Sequence, residues 1–188
     1  MLDASEARVD LLPMKKPVLT CTTDPNVLLV PVDETSLVAL ANLFQLYVHD
    51  FSTYVPLDVD DTGRFEAPIA PEWTSRDDHH AYLVREDETL RGFALVRRGS
   101  RITEDPEPMD VAEFFVLRSA RGRGLGAKVA QTLFDSFPGR WEIRVRSGNA
   151  PAVAFWSSVV TDEAAGEVDQ SAHAADGAAW TVFRFETE

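Results

Sequence analysis

The apolar residues of this chain recur with two different periods, and the changes between them mark out its elements. Asn26–Val32 (NVLLVPV) is a short apolar run that predicts a first strand, with Pro31 at an edge position or at the strand's end. Leu37, Leu40, Ala41, Phe44, Tyr47, Val48 and Phe51 then fall at three- and four-residue steps, predicting a one-faced helix that ends near Phe51, with Asp33 as its N-cap. His49 and Asp50 lie off that stripe, either as a solvated helix end or as a catalytic pair. From Ser52 to His80, Pro56, Gly63, Pro68 and Pro71 leave room for no more than a short second helix. Ala81–Arg85 and Leu90–Arg97 read as a hairpin around Glu86-Asp87-Glu88-Thr89. Arg98–Met109 is an acidic connection, and Val111–Leu117 an apolar strand that feeds a loop of arginines and glycines. Leu125, Val129, Leu133 and Phe137 keep one face of the next helix apolar until Pro138-Gly139 stops it. Trp141–Val145 predicts a strand, and Asn149–Val160 a helix with Asn149 near its start and Pro151 in its first turn. Ala179–Phe185 closes the chain as a strand with Trp180, Val182 and Arg184 on one side. Residues 1–25, which mix charges with Pro13, Pro17 and Pro25, read as an extended, partly disordered extension, and Asp162–Gly177 carries no readable period.

This order predicts an α/β fold, a mixed central sheet flanked by helices, as a single domain over residues 26–188. A chain of 188 residues is long enough to bury a sizeable core. With 45% hydrophobic and 26% charged residues it is globular in composition. A net charge of −13 argues against nucleic acid or an anionic membrane as a partner, because phosphate attracts basic surfaces. Cys21 stands alone, which excludes an intramolecular disulfide and a cysteine metal cluster, and the histidines show no ligand spacing, so no metal is expected. No apolar run reaches the roughly 18 residues of a membrane span, and Met1–Thr20 lacks a secretory pattern, so the expected location is cytoplasmic. The segment from Asp50 to Asp78 holds Asp50, Asp58, Asp60, Asp61, Glu66, Glu72, Asp77 and Asp78 against only Arg64 and Arg76: a solvated loop, or a rim that draws in a cationic ligand.

The chemistry centres on Asp110–Val129, where strand, glycine loop and helix start follow one another. Gly122, Gly124 and Gly126 allow close backbone approach, first-turn N–H groups have no intrahelical partner, and the helix dipole favours an anion, so the segment is built for phosphate. It is neither a Walker loop, since Ala127 and Lys128 follow Gly126, nor a dinucleotide fingerprint, since the spacing is Gly122-x-Gly124-x-Gly126. Arg121, Gly124 and Gly126, with Val116 five residues before the arginine, resemble the Arg/Gln-x-x-Gly-x-Gly/Ala acyl-CoA loop of the GNAT superfamily of N-acyltransferases. Asn149, Ala152, Phe155 and Trp156 resemble that family's Asn-x-x-Ala-x-x-Phe-Tyr motif, with Trp in place of Tyr. The element order matches the family's fold over about residues 26–187.

The resemblance implies that acetyl-CoA is the acyl-donor cosubstrate. Backbone around Val116 and Leu117 would pair with its pantetheine arm, the amides of Gly122, Arg123, Gly124, Leu125 and Gly126 would hold its pyrophosphate with Arg121 and Arg123 nearby, and Asn149 would face the arm from the opposite wall. It further implies direct attack of a small, cationic primary amine on the thioester. As base, Glu113 is the sharpest candidate, a carboxylate in an apolar strand whose alternation sends Glu113 and Phe115 to one face and Ala112, Phe114 and Val116 to the other. Glu113-Phe114-Phe115-Val116 also resembles the acid-Phe-Phe-Val strand of the polyamine-acetylating branch, where the usual base corresponds to Ala112 here, and the histone-acetylating branch places its base at Asp110. A structural ion pair between Glu113 and an arginine is the alternative role. Trp156 lacks the ionisable proton of the family's tyrosine, so the acid would be Ser157, Tyr54 or water, or the thiolate would leave unprotonated at some loss in rate. Family members often dimerise, so a homodimer stays open. A non-catalytic acyl-CoA-binding domain and an acidic interaction protein are the competing readings.

Overall fold

The computed structural model describes residues 16–175 and 177–188. One eight-stranded sheet runs through it, and it contains the hairpin of β3 (His79–Glu86) and β4 (Thr89–Arg98), turned by Asp87 and Glu88 at positive φ. β2 (Val27–Pro31) and the two-residue β1 (Leu19–Thr20) extend the sheet on one side. On the other side lie β5 (Met109–Val116), β6 (Gly139–Arg146), β8 (Ala178–Thr187) and the edge strand β7 (Asp169–Ala175). Every neighbouring pair is antiparallel except β5 with β6.

The helices cover both faces, as the mixed-sheet expectation requires. α3 (Leu125–Ser136) and α4 (Ala150–Glu163) pack Leu125, Val129, Leu133, Trp156 and Val160 onto one face, with Tyr82, Val96, Ile143 and Phe183 beneath them. α1 (Leu37–Phe51) covers the opposite face through Leu40 and Leu43, with Phe93, Leu95 and Phe115 below, and the four-residue α2 (Glu72–Ser75) brings Trp73 to the same cluster. Among the described residues, no helix is long and apolar enough to cross a membrane.

Three expectations change. Residues 1–15 of the expected extension lie outside the described residues, but the sheet already begins at Leu19, and Cys21 is buried beside it; two paired residues are too few to show a period. Asp33 is not the N-cap of α1. Its carboxylate accepts the N–H groups of Thr35 and Ser36, folding a turn of its own, and the helix starts at Leu37 with Ser36 as cap. The segment with no readable period contains β7, whose Ala, Ser and Gln residues pair only with β8, so no apolar stripe marks it.

Gly92 shows how tightly β4 meets β5. A Cβ placed there would lie 2.0 Å from the Phe115 carbonyl oxygen, a backbone atom that cannot move aside. Gly92→Ala is expected to destabilise the protein by about 3 kcal/mol, the upper range for forced overpacking, read as a lower urea midpoint at an unchanged slope.

Candidate active site

Strand β5 breaks two regularities of a sheet. First, its pairing with β4 slips: Leu95 faces Glu113 but Val96 faces Val111, so Ala112 bulges out of the ladder. Residues three apart on a regular strand point to opposite faces; the extra residue brings Asp110, Glu113 and Phe115 onto the α1 face together, while Val111 and Val116 stay with the α3 and α4 core. Second, β5 pairs with β6 only through Met109↔Trp141, Asp110↔Glu142 and Val111↔Ile143, although both strands continue. Beyond Val111 and Ile143 they part, opening a cleft of about 470 Å³. Ala112, Glu113 and Phe114 form one wall, Ile143–Arg146 the other, with Tyr47 and Phe51 of α1 and Asn149 and Trp156 of α4 among the rest of the lining.

Glu113 lines this cleft with the Tyr47 phenol beside it. Burial raises the Glu113 carboxyl above its ordinary range, and the Tyr47 hydrogen bond and the nearby Arg101 and Arg144 charges offset this in part. Burial first, then the Glu113 charge, pushes the Tyr47 phenol well up, so it remains a donor. The expected alternative, a Glu113–arginine ion pair, falls to Asp110 instead. Asp110 is 0% exposed and does not line the cleft. It accepts from Arg97 Nε at 3.2 Å, while Arg144 Nε stands 3.8 Å from its other oxygen, too far for a hydrogen bond. Burial raises the Asp110 pKa against the opposing pull of Arg144 and Arg97.

At the mouth, a short 3₁₀ turn (Arg118–Ala120) leads into the glycine loop. Gly122 and Gly124 take φ of +75° and +82°, and a Cβ on either meets no atom within 4 Å, so the space above them is open. Gly126 has a different role: its φ is ordinary, and a Cβ would meet the Phe155 ring at 3.1 Å. The two sequence motifs are therefore in contact, since Phe155 of α4 packs under the loop. The first bond into α3 runs from Lys128 N–H to the Gly124 carbonyl, which leaves the amides of Leu125, Gly126 and Ala127 without an intrahelical acceptor.

The loop arginines are held by carboxylates. Arg121 Nε donates to the Val116 carbonyl at 2.7 Å, and its Nη2 to Asp50 at 2.7 Å; Arg118 Nε donates to the other Asp50 oxygen at 2.9 Å. Arg123 donates to Glu86 at 3.1 Å. Leu117 N–H donates to the Arg91 carbonyl, so this group and the Val116 carbonyl are already bonded within the chain. Asp50 is thus not a free, solvated helix end: with His49 Nδ1 3.9 Å from one oxygen, its carboxylate also ties α1 to the loop through the two arginines. Asp50→Asn is expected to cost about 1 kcal/mol at pH 7, kept small because the arginine ends are exposed. The two arginines lower the Asp50 pKa despite its partial burial, so the contribution is present above the ordinary aspartate range and fades as pH falls through the lowered value. Urea denaturation of both forms at neutral and acid pH checks this.

Asn149 caps α4, its side chain accepting from Ala152 N–H at 3.2 Å, and lines the cleft. Trp156 is buried, its ring edge-on to Phe114 at 5.0 Å. Tyr54 sits edge-on to Phe51 and does not line the cleft, and neither does Ser157. Sequence patterns missed Tyr47 and Arg144. Tyr47 was absorbed into the apolar stripe of α1, whereas Arg140, Glu142, Arg144 and Arg146 alternate along β6 and were a legible signal of a polar face. Among the described residues, no group of three His, Cys, Asp or Glu converges to hold a metal ion.

A strand pair that splays beside a bulged, carboxylate-bearing strand, with a glycine loop capping the next helix, defines an acyltransferase-type α/β fold. The model of the acetyltransferase (GNAT) family matches residues 37–159, and the chain belongs to that family. No curated protein matches the sequence. Among solved structures, an acetyltransferase of Thermus thermophilus aligns with TM-score 0.61 at 16% identity, covering 86% of this chain and 97% of that one. RimL, a ribosomal L7/L12 alpha-N-protein acetyltransferase solved with coenzyme A, aligns at 0.58 and 14%, covering 91% and 98%. The yncA protein of Salmonella typhimurium, solved with its cofactor acetyl-CoA, aligns at 0.58 and 13%, covering 87% and 95%. At these identities the likeness is one of fold.

Proposed function

We propose that this protein is an acetyl-CoA-dependent N-acetyltransferase that moves the acetyl group directly to the primary amine of a small acceptor, with Glu113 as the base. The observation that carries this is the placement of Glu113 by the Ala112 bulge at the point where β5 and β6 part. The residues fit the donor: open space above Gly122 and Gly124 and unsatisfied amides at Leu125, Gly126 and Ala127 suit a pyrophosphate, with Arg123 at the rim, Arg121 bracing the loop and Asn149 on the far wall. Acetyl-CoA, when bound, supplies an activated thioester carbonyl.

The chain's own residues do the rest. Glu113, ionised, takes a proton from the attacking amine directly or through one water. The Tyr47 phenol beside that carboxylate favours its charged form. Phe44, Val48 and Phe51 keep the pocket dry, so the amine meets the base in a medium where their interaction is strong. Asp110 acts at a distance, bonding Arg97 and standing 3.8 Å from Arg144. Trp156 packs the donor wall, and solvent protonates the departing thiolate. The exposed Asp58 and Glu66, next to the cleft residues Leu57 and Ala67, draw the ammonium toward the opening.

The test is thiol release from acetyl-CoA over a panel of primary amines and matched neutral alcohols, with product mass. Acetylated amine supports the proposal. Tight acetyl-CoA binding with no thiol released on any acceptor would replace it by the second reading, a non-catalytic acyl-CoA-binding domain, which Trp156 in the usual tyrosine position favours.

A further inference from the structure

The cleft has a charge opposite to that of the protein. The chain carries −13 and an acidic segment flanks the entrance, yet the lining contributes Arg101, Arg144 and Arg146 against the single carboxylate Glu113. Other arginines of the same sheet face are matched: Arg97 is bonded to Asp110 and Arg184 to Glu142. Of the three in the cleft, none has a side-chain hydrogen bond to a carboxylate among the described residues. Among the described residues the Arg101 and Arg146 guanidinium groups make no ion pair, and Arg144, with 14% of its side chain exposed, has only the 3.8 Å approach of its Nε to Asp110 and no hydrogen bond. Trp180 on the neighbouring strand lies beneath Arg144 and Arg146, with guanidinium carbons 5.4 Å and 5.6 Å from its ring centroid, which sets two forks side by side on one strand face.

A guanidinium this enclosed and this poorly partnered is costly unless a ligand completes it, and its planar fork matches a carboxylate in bidentate fashion. Burial lowers the Arg144 pKa, as an incomplete complement of partners would. The donor's phosphates are a poor explanation. The glycine loop caps α3 on the opposite face of the sheet, whereas Arg144 follows Ile143 at the apex of the strand opening, on the face shared with Glu113 and Tyr47.

We infer that the acceptor is a small amino-acid-type zwitterion: its ammonium faces Glu113 and its carboxylate is received by Arg144, with Arg101 and Arg146 as flanking donors. The amine half of this rests on the acetyltransferase reading; the carboxylate half does not. A cleft of about 470 Å³ shared with the thioester arm keeps the acceptor small.

The experiment is calorimetric titration of the full chain, in the presence of coenzyme A, with α- and ω-amino acids each paired with its own carboxamide, so that only the carboxylate charge differs. At least one acid is expected to bind tenfold or more tightly than its amide. Arg144→Gln should bring the ratio toward one, and Arg101→Gln, an exposed position that no described ion pair needs, should reduce it several-fold if Arg144→Gln fails to fold by stranding Asp110. Coenzyme A affinity should stay within twofold in Arg101→Gln. Amides that bind as well as the acids, no binding by any pair, or an Arg101→Gln effect confined to coenzyme A would overturn the inference. Acid-selective binding without acetylation would uphold this site and sink the enzymatic reading, whereas turnover restricted to amides would do the reverse.

Discussion

Glu113→Gln is expected to lower kcat/KM by about 10² to 10⁴, the usual range for a lost general base, with acetyl-CoA affinity changed less than twofold. The isostere keeps the side-chain volume and an oxygen for the Tyr47 phenol, so what disappears is the capacity to take a proton. The pH profile separates this from a packing defect. Burial raises the Glu113 pKa, so the protein should lose activity as pH falls through a value above the ordinary carboxylate range, because the base is then protonated. In Glu113→Gln that limb should vanish from the residual rate. Stability gives a further check. A carboxyl whose folded-state pKa is raised holds its proton more firmly in the native state, so ionising it as pH rises costs stability. The neutral variant should therefore melt at the same temperature as the parent or higher at pH 7. A variant with full activity, or one that loses activity only because it unfolds, removes Glu113 from the mechanism.

The second large effect is expected at the loop. Gly124→Glu should weaken acetyl-CoA binding at least 100-fold in a calorimetric titration while the fold survives. Gly124 caps α3 at φ +82°, where a side chain costs about 1–2 kcal/mol, a strain that a domain of this size tolerates. No atom lies within 4 Å of a Cβ there, so the new carboxylate would stand in the space above the loop and repel a pyrophosphate from the amides of Leu125, Gly126 and Ala127. Circular dichroism should be unchanged, since α3 keeps its remaining bonds. Undiminished binding would mean that the glycine loop does not hold the donor.

How much of this was legible depended on whether the signal was local. The strands from Trp141 and Ala179 and the helices after Gly124 and Asn149 came through because one face of each is buried, and burial imposes its period on the sequence. β7 was not legible, since an edge strand of small residues buries nothing that would mark it. Asp33 misled because its carboxylate serves a turn that precedes the helix, and composition cannot tell the two caps apart.

The sequence by itself determined that this chain forms one mixed α/β domain of acyltransferase type, that a glycine loop opens the helix after the central strand, and that Glu113 stands in an apolar strand. Each is a statement about neighbours along the chain, where spacing and residue type suffice. Tertiary structure alone decided that Asp110 and Glu113 share a face, because that needs the slip of β5 against β4 at Ala112. It decided that Asp110 bonds Arg97 while Glu113 faces Tyr47 in the cleft, that Asp50 of α1 holds the loop, and that arginines from β6 and the 98–109 connection meet in one cleft. Those pairings join residues far apart in the chain, and no period along it records which strands part or which side chains the parting brings together.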